Sequence, residues 1–234
     1  MLEKILTVKN VTVNLSGQTI LQNLSLDLEK GTSLAIIGPN GSGKTVFLKT
    51  LLGIIPYDGQ ITWAKGVRIG YVPQKIEADR HLPLNLENLL RAKSEILKLR
   101  KSEIYSITET VGLSPKLLKT PIGYLSGGQF QKALIAFALL GKPNVILFDE
   151  PTASLDQLTE ENIYELINEL HEKQGLTTIL VSHDLSVVYR YAHKVLCLNK
   201  ENVCYGTPEK ALNEETLKKL YGAPHKYHHH HHDN

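Results

Sequence analysis

The octapeptide Gly38-Pro39-Asn40-Gly41-Ser42-Gly43-Lys44-Thr45 constrains this chain more than any other feature. It fits G-x-x-x-x-G-K-[ST] without a gap. The run before it, Ser33-Leu34-Ala35-Ile36-Ile37, is short and apolar enough for a strand buried on both faces. The stretch 44–53 after it reads as a helix. A buried strand, a Gly-rich turn and a helix in that order predict an α/β fold with a parallel sheet and the turn at its ligand edge. The glycines let backbone N–H groups converge on phosphate oxygens, and the helix start adds the positive end of its dipole. Gly38, Asn40, Gly41, Ser42 and Gly43 form this cradle, and Val46 adds its backbone N–H. Lys44 is placed to reach the β- and γ-phosphates, and Thr45 to hold Mg²⁺ with its hydroxyl.

A second buried run, Val145-Ile146-Leu147-Phe148, closes on Asp149-Glu150. A parallel strand delivers such an end to the crevice where ligands sit. Asp149 is then placed to hold Mg²⁺, and Glu150 to orient or deprotonate an attacking water. Alone, an apolar run ending in two acids is a strand end. Beside a phosphate loop it becomes half of a hydrolytic site.

The remaining pattern supports one α/β unit with an insertion. Strands are predicted over 5–13, 19–28, 60–63, 67–72, 177–181 and 194–198. Helices are predicted within 84–112 and over 129–140, 158–174 and 184–191. Lys+Arg is 26 and Asp+Glu is 24, so a net charge of +2 gives no support for broad nucleic-acid binding. The longest apolar run, Ala133 to Leu140, falls far short of the roughly 18 residues of a membrane span. Met1 to Ile5 lack the basic start and apolar stretch of a secretory signal, so the chain is expected to be soluble and to meet a membrane only through a partner. Cys197 and Cys204 are too few for a disulfide framework and lack C-x-x-C spacing, which fits a reducing compartment.

Leu125-Ser126-Gly127-Gly128-Gln129 resembles the signature pentapeptide of ABC-type ATPases, and the acidic strand follows at that family's distance. Gln74, in Tyr71-Val72-Pro73-Gln74, matches the family's Q-loop. Ser154-Leu155-Asp156 matches the D-loop, and Ser182-His183-Asp184 the switch histidine. The resemblance spans about residues 3–222. It implies a P-loop ABC ATPase with a RecA-like parallel sheet core, an antiparallel β subdomain and a helical insertion. By the same resemblance, residues 1–74 and 141–223 are the ATP-binding core, 75–140 the helical signature subdomain and 224–234 a flexible tail. ATP and Mg²⁺ are the implied cofactors. Gln74 and His183 join Glu150 as catalytic residues, with Gln74 also near the Mg²⁺. Ser126, Gly127, Gly128, Gln129 and Asp156 would meet nucleotide across an ATP-dependent homodimer. The implied partners are membrane permease subunits and, indirectly, a substrate-binding protein. The implied place is the cytoplasmic face of a cell membrane.

Several residues depart from the family pattern. Leu15 stands where an aromatic ring usually stacks on adenine. Lys132 and Phe137 stand where arginines are usual. Glu150 and His183 are both present, which favours hydrolysis over a module that only holds ATP. The stretch Asp79 and His81-Leu82-Pro83-Leu84 is similar to ATPases of zinc and manganese importers, and Ile76 and Leu82 are candidates for the permease groove. His225, His228, His229, His230, His231 and His232 read either as an affinity tag or as a native tail able to bind Zn²⁺. These features together favour divalent-metal import, zinc ahead of manganese. Import of another solute, or export, is the alternative.

Overall fold

The computed structural model describes residues 3–74 and 83–222. The calls on Ile76, Asp79, His81, Leu82 and the histidine tail lie outside the described residues. The chain builds two sheets. Strands β1 (Lys4–Leu15), β2 (Gln18–Glu29) and β4 (Asp58–Trp63) form an antiparallel sheet in the order β2-β1-β4. Strands β3 (Ser33–Ile37), β5 (Ile69–Val72), β6 (Val145–Asp149), β7 (Thr177–Val181), β8 (Lys194–Asn199) and β9 (Glu201–Gly206) form the second, in the order β5-β6-β7-β3-β8-β9. Its first five strands are parallel, and β9 runs antiparallel to β8.

The unbroken apolar runs of β3, β6 and β7 follow from cover on both faces. In β6, Val145 and Leu147 point into a core shared with α1 (Lys44–Leu51) and the antiparallel sheet. Ile146 and Phe148 point the other way, into a core shared with α4 (Gly127–Leu139) and α5 (Gln157–Gln174). In β3, Leu34 and Ile36 join the first core, while Ala35 and Ile37 face a third, smaller one built with β8 and the C-terminal helices. Period-two alternation thus survives as a choice between two apolar cores.

The insertion holds α2 (Leu86–Ile96) and α3 (Lys101–Thr110), two short 3₁₀ turns, and then α4. The helical periodicity over 84–112 is two helices, with Lys98 at φ 55° in the break. Asn85 caps α2 by accepting from the Asn88 N–H at 2.8 Å. Lys93 of α2 donates to the Phe137 carbonyl at 2.6 Å and lies 4.6 Å from that ring's centre. The aromatic at 137 therefore gives α2 a platform on α4.

No strand or helix is predicted beyond residue 198, and the structure has β9 there. Helix α6 (Leu185–Tyr191) lies before β8, and after β9 come a short helix α7 (Pro208–Ala211) and α8 (Glu214–Tyr221). Strand β9 brings together two cysteines that the sequence does not pair. Cys204 pairs directly with Cys197 in the β8–β9 register, and the two form a disulfide with a Cα–Cα distance of 4.8 Å. Their sequence separation of seven hides the hairpin that brings them opposite. The chain-entropy contribution of so small a ring is about 2.5 kcal/mol. A reducing agent should therefore lower the melting temperature of the wild type, and Cys204→Ser should melt lower and lose that dependence in a calorimetric scan.

Candidate functional site

The phosphate loop leaves β3 at Ile37 and enters α1 at Lys44. Two glycines make its path possible. A Cβ on Gly38 would lie 2.0 Å from the Leu198 carbonyl oxygen of β8. Gly43 has φ 98°, and a Cβ there would meet Leu21 Cδ2 at 2.5 Å. Gly43 caps α1 without a side chain, so no protein oxygen from the cap position takes the first amides of the helix. The loop is braced from behind by the β8–β9 turn. Lys200 N–H donates to the Ser42 carbonyl at 3.2 Å, and the Lys200 carbonyl accepts from the Gln22 N–H at 2.7 Å. Burial pushes the Tyr221 phenol of α8 up, and the Gly38 backbone beside it pulls it back.

Inside the loop, Lys44 Nζ donates to the carbonyls of Gly38 at 2.9 Å and Pro39 at 3.2 Å. Ser42 Oγ is buried with no hydrogen-bond partner among the described residues. An orphaned buried hydroxyl inside a ring of amides and a lysine suits an anion with oxygens to share. Asn40 and Gly41 are exposed at the tip of the loop, and Val46 is half-buried.

The acidic strand end meets this loop. Thr45 Oγ1 donates to Asp149 Oδ1 at 2.9 Å, and the Tyr71 hydroxyl donates to Asp149 Oδ2 at 3.2 Å. Asp149 is 1% exposed. Burial pushes its carboxyl above the usual carboxylate range, the Thr45 and Tyr71 hydroxyls pull it back, and neighbouring Glu150 adds to the push. Burial beside Asp149 likewise drives the Tyr71 phenol upward. Glu150 sits at φ 47°, with its N–H on the Val181 carbonyl at 3.2 Å. Its Oε2 accepts from Gln74 Nε2 at 2.7 Å, and its Oε1 lies 3.8 Å from Lys44 Nζ. Lys44, Thr45, Gln74, Asp149 and Glu150 are thus brought together from three strand ends.

His183 follows β7, the strand beside β6, and is exposed. Ser126 caps α4: its hydroxyl accepts the Gln129 N–H at 3.3 Å, while Gln129 Oε1 accepts the Ser126 N–H at 3.0 Å. This capping box accounts for the Ser and the Gln of the pentapeptide by local structure. Gly127 and Gly128 open α4 where Cβ atoms would meet Leu155 at 2.9 Å and Thr159 at 2.5 Å. Asp156 caps α5 on the Thr159 N–H and hydroxyl at 3.0 and 2.7 Å. Among the described residues, no hydrogen bond joins Ser126, Gln129 or Asp156 to the phosphate loop. Tyr71 has no role assigned from the sequence, and Lys200 and Tyr221 are not among the predicted site residues. None of the three carries a local signal, since each acts through a contact distant in sequence.

Three comparisons bear on what this arrangement belongs to. Residues 21–153 match the ABC transporter family. The chain is 38% identical over 221 residues to the zinc import ATP-binding protein ZnuC of Haemophilus influenzae, covering 94% of this chain and 81% of that one. It is 36% identical over 222 residues to ZnuC of Wigglesworthia glossinidia brevipalpis, covering 94% of each. Among solved structures, an inward-facing ABC transporter assigned to the metal-chelate type superimposes with a TM-score of 0.85 at 28% identity, covering 95% of this chain and 90% of that one.

The raised Asp149 carboxyl carries a pH signature. An acid whose folded pKa lies above its model value of 3.8 makes the folded state bind more protons than the unfolded one over that interval. Stability is then lost as pH rises from about 4 through the folded pKa. Asp149→Asn should remove that loss. In nucleotide-free buffer its melting temperature should gain on the wild type as pH rises from about 4 to 7. A constant offset across that range would contradict the assignment.

Proposed function

The chain belongs to the ABC transporter ATP-binding family, and on that premise we propose that it is the ATP-hydrolysing subunit of an importer for a divalent metal ion, zinc ahead of manganese. One observation carries the hydrolytic part: Lys44, Thr45, Gln74, Asp149 and Glu150 converge within hydrogen-bond or ion-pair reach. The choice of cargo rests on relatives named as zinc import proteins.

The residues present fit Mg²⁺–ATP. The Thr45 hydroxyl, the Asp149 carboxylate and the Gln74 amide oxygen are hard oxygen donors of the kind Mg²⁺ takes. When bound, the ion supplies charge neutralisation between the phosphates. Lys44 contributes a second positive charge, and the loop amides orient the phosphate chain. Glu150 holds the attacking water and takes its proton, and Gln74 keeps that carboxylate aimed. His183 follows the next strand, and in this reading it contacts the γ-phosphate.

The signature helix completes the site in a second copy. Ser126, Gly127, Gly128 and Gln129 lie on another part of the chain from Lys44, so a head-to-tail pair puts one copy's signature over the other's nucleotide. Asp156 sits in the same interface. Residues 1–74 and 141–223 act as the core and 75–140 as the moving helical part. Membrane permease subunits dock on that part, at the cytoplasmic face where ATP is supplied, and an external binding protein delivers the ion. Among the described residues no helix is long and apolar enough to cross a membrane. The tail histidines 225 and 228–232 would bind Zn²⁺ if native.

Glu150→Gln should retain ATP binding while turnover falls by a factor on the order of 100 or more. Cells that carry it in place of the intact chain should lose zinc on a zinc-limited medium, measured by elemental analysis. Loss of manganese instead would change the ion, and unchanged metals would remove the import reading.

A further inference from the structure

The segment 71–74 holds both members of the Asp149–Glu150 pair. The Tyr71 hydroxyl donates to Asp149 Oδ2 at 3.2 Å, and Gln74 Nε2 donates to Glu150 Oε2 at 2.7 Å. Tyr71 stands beside Leu147 in the parallel β5–β6 register, so its backbone is fixed by the sheet. Its half-buried ring packs on the core beneath the phosphate loop.

Asp149 is buried, yet no lysine or arginine lies within ion-pair distance of it among the described residues. Two neutral hydroxyls hold it, one on each oxygen. A carboxylate pinned at one oxygen can swing about its Cβ–Cγ bond. Pinned at both, its plane is set. Thr45 has a second task in the Mg²⁺–ATP reading, because its hydroxyl would also hold Mg²⁺ while its proton goes to Asp149. Tyr71 has none: the hydrogen bond its hydroxyl makes among the described residues goes to Asp149.

We propose that Tyr71 is a positioning residue of the metal site, whose hydroxyl fixes the Asp149 carboxylate and so sets the affinity of the nucleotide complex for Mg²⁺. The inference rests on the Mg²⁺–ATP reading above. It follows the general behaviour of groups that orient a metal-binding carboxylate from outside the coordination sphere, whose loss costs roughly 10- to 100-fold in metal affinity. A purely structural Tyr71 would fill the core with its ring, and its hydroxyl would be incidental.

Tyr71→Phe removes the hydroxyl and keeps the ring. Tyr71→Leu removes both. Binding of a fluorescent non-hydrolysable ATP analogue to the purified full chain is measured against Mg²⁺ concentration, at a temperature where melting curves show each variant folded. The same titration with Mn²⁺ is read by electron paramagnetic resonance. The half-saturating Mg²⁺ concentration is expected to rise about tenfold in Tyr71→Phe, with metal-free analogue affinity unchanged. A Tyr71→Phe curve lying on the wild type, with only Tyr71→Leu displaced, would overturn the proposal in favour of ring packing. A wild type whose binding ignores both metals would instead overturn the metal-site reading, and the part of Tyr71 with it.

Discussion

The hydrogen bond from Thr45 Oγ1 to Asp149 Oδ1, 2.9 Å long, joins two segments 104 residues apart in sequence. The proposed chemistry depends on that junction. The phosphate loop alone can hold an anion, and the acidic strand end alone is only a strand end. The sheet order β6-β7-β3 places the two strand ends with one strand between them. The crevice so formed lies at the carboxyl edge of a parallel sheet, where α/β folds gather their ligands. A buried carboxylate there is costly, and the Thr45 and Tyr71 hydroxyls offset part of that cost.

The loop is also held from the side away from the acids. Gly38 passes under the Leu198 carbonyl so closely that no side chain fits. The β8–β9 turn then ties Ser42 to Gln22 through both backbone groups of Lys200. The antiparallel sheet, the phosphate loop and the last hairpin therefore share one small junction. The Cys197–Cys204 disulfide closes the hairpin that carries this turn. Three separate parts of the fold thus brace the loop.

The legible parts of the fold were those with a local signal. Strands β3 and β7 match their predicted limits because burial on both faces writes an unbroken apolar run. The phosphate loop was legible because its glycines answer to steric demands that no other residue meets. The pentapeptide was legible through resemblance, and its capping box explains part of it by helix chemistry alone. Strand β9 was not legible: Glu201 to Gly206 mix polar and apolar residues at a sheet edge, where only one neighbour constrains them. The cysteine pairing went unseen with it. The break at Lys98 was also silent, since apolar residues continue at helical spacing on both sides. Tyr71 was hidden for a different reason. Its role depends on a contact across 78 residues, which no local pattern records.

In the proposed function, one chain carries two half-sites, a phosphate loop with its acids and a capped signature helix, and they meet in a pair of chains. Steady-state ATP hydrolysis by the purified chain, measured across a wide range of protein concentration with Mg²⁺–ATP in excess, tests it most directly. If two copies complete each site, the rate per chain rises in proportion to protein concentration at the dilute end and levels off once pairs dominate. A rate per chain that stays constant down to the lowest concentration, in protein shown by light scattering to be monomeric there, would contradict it.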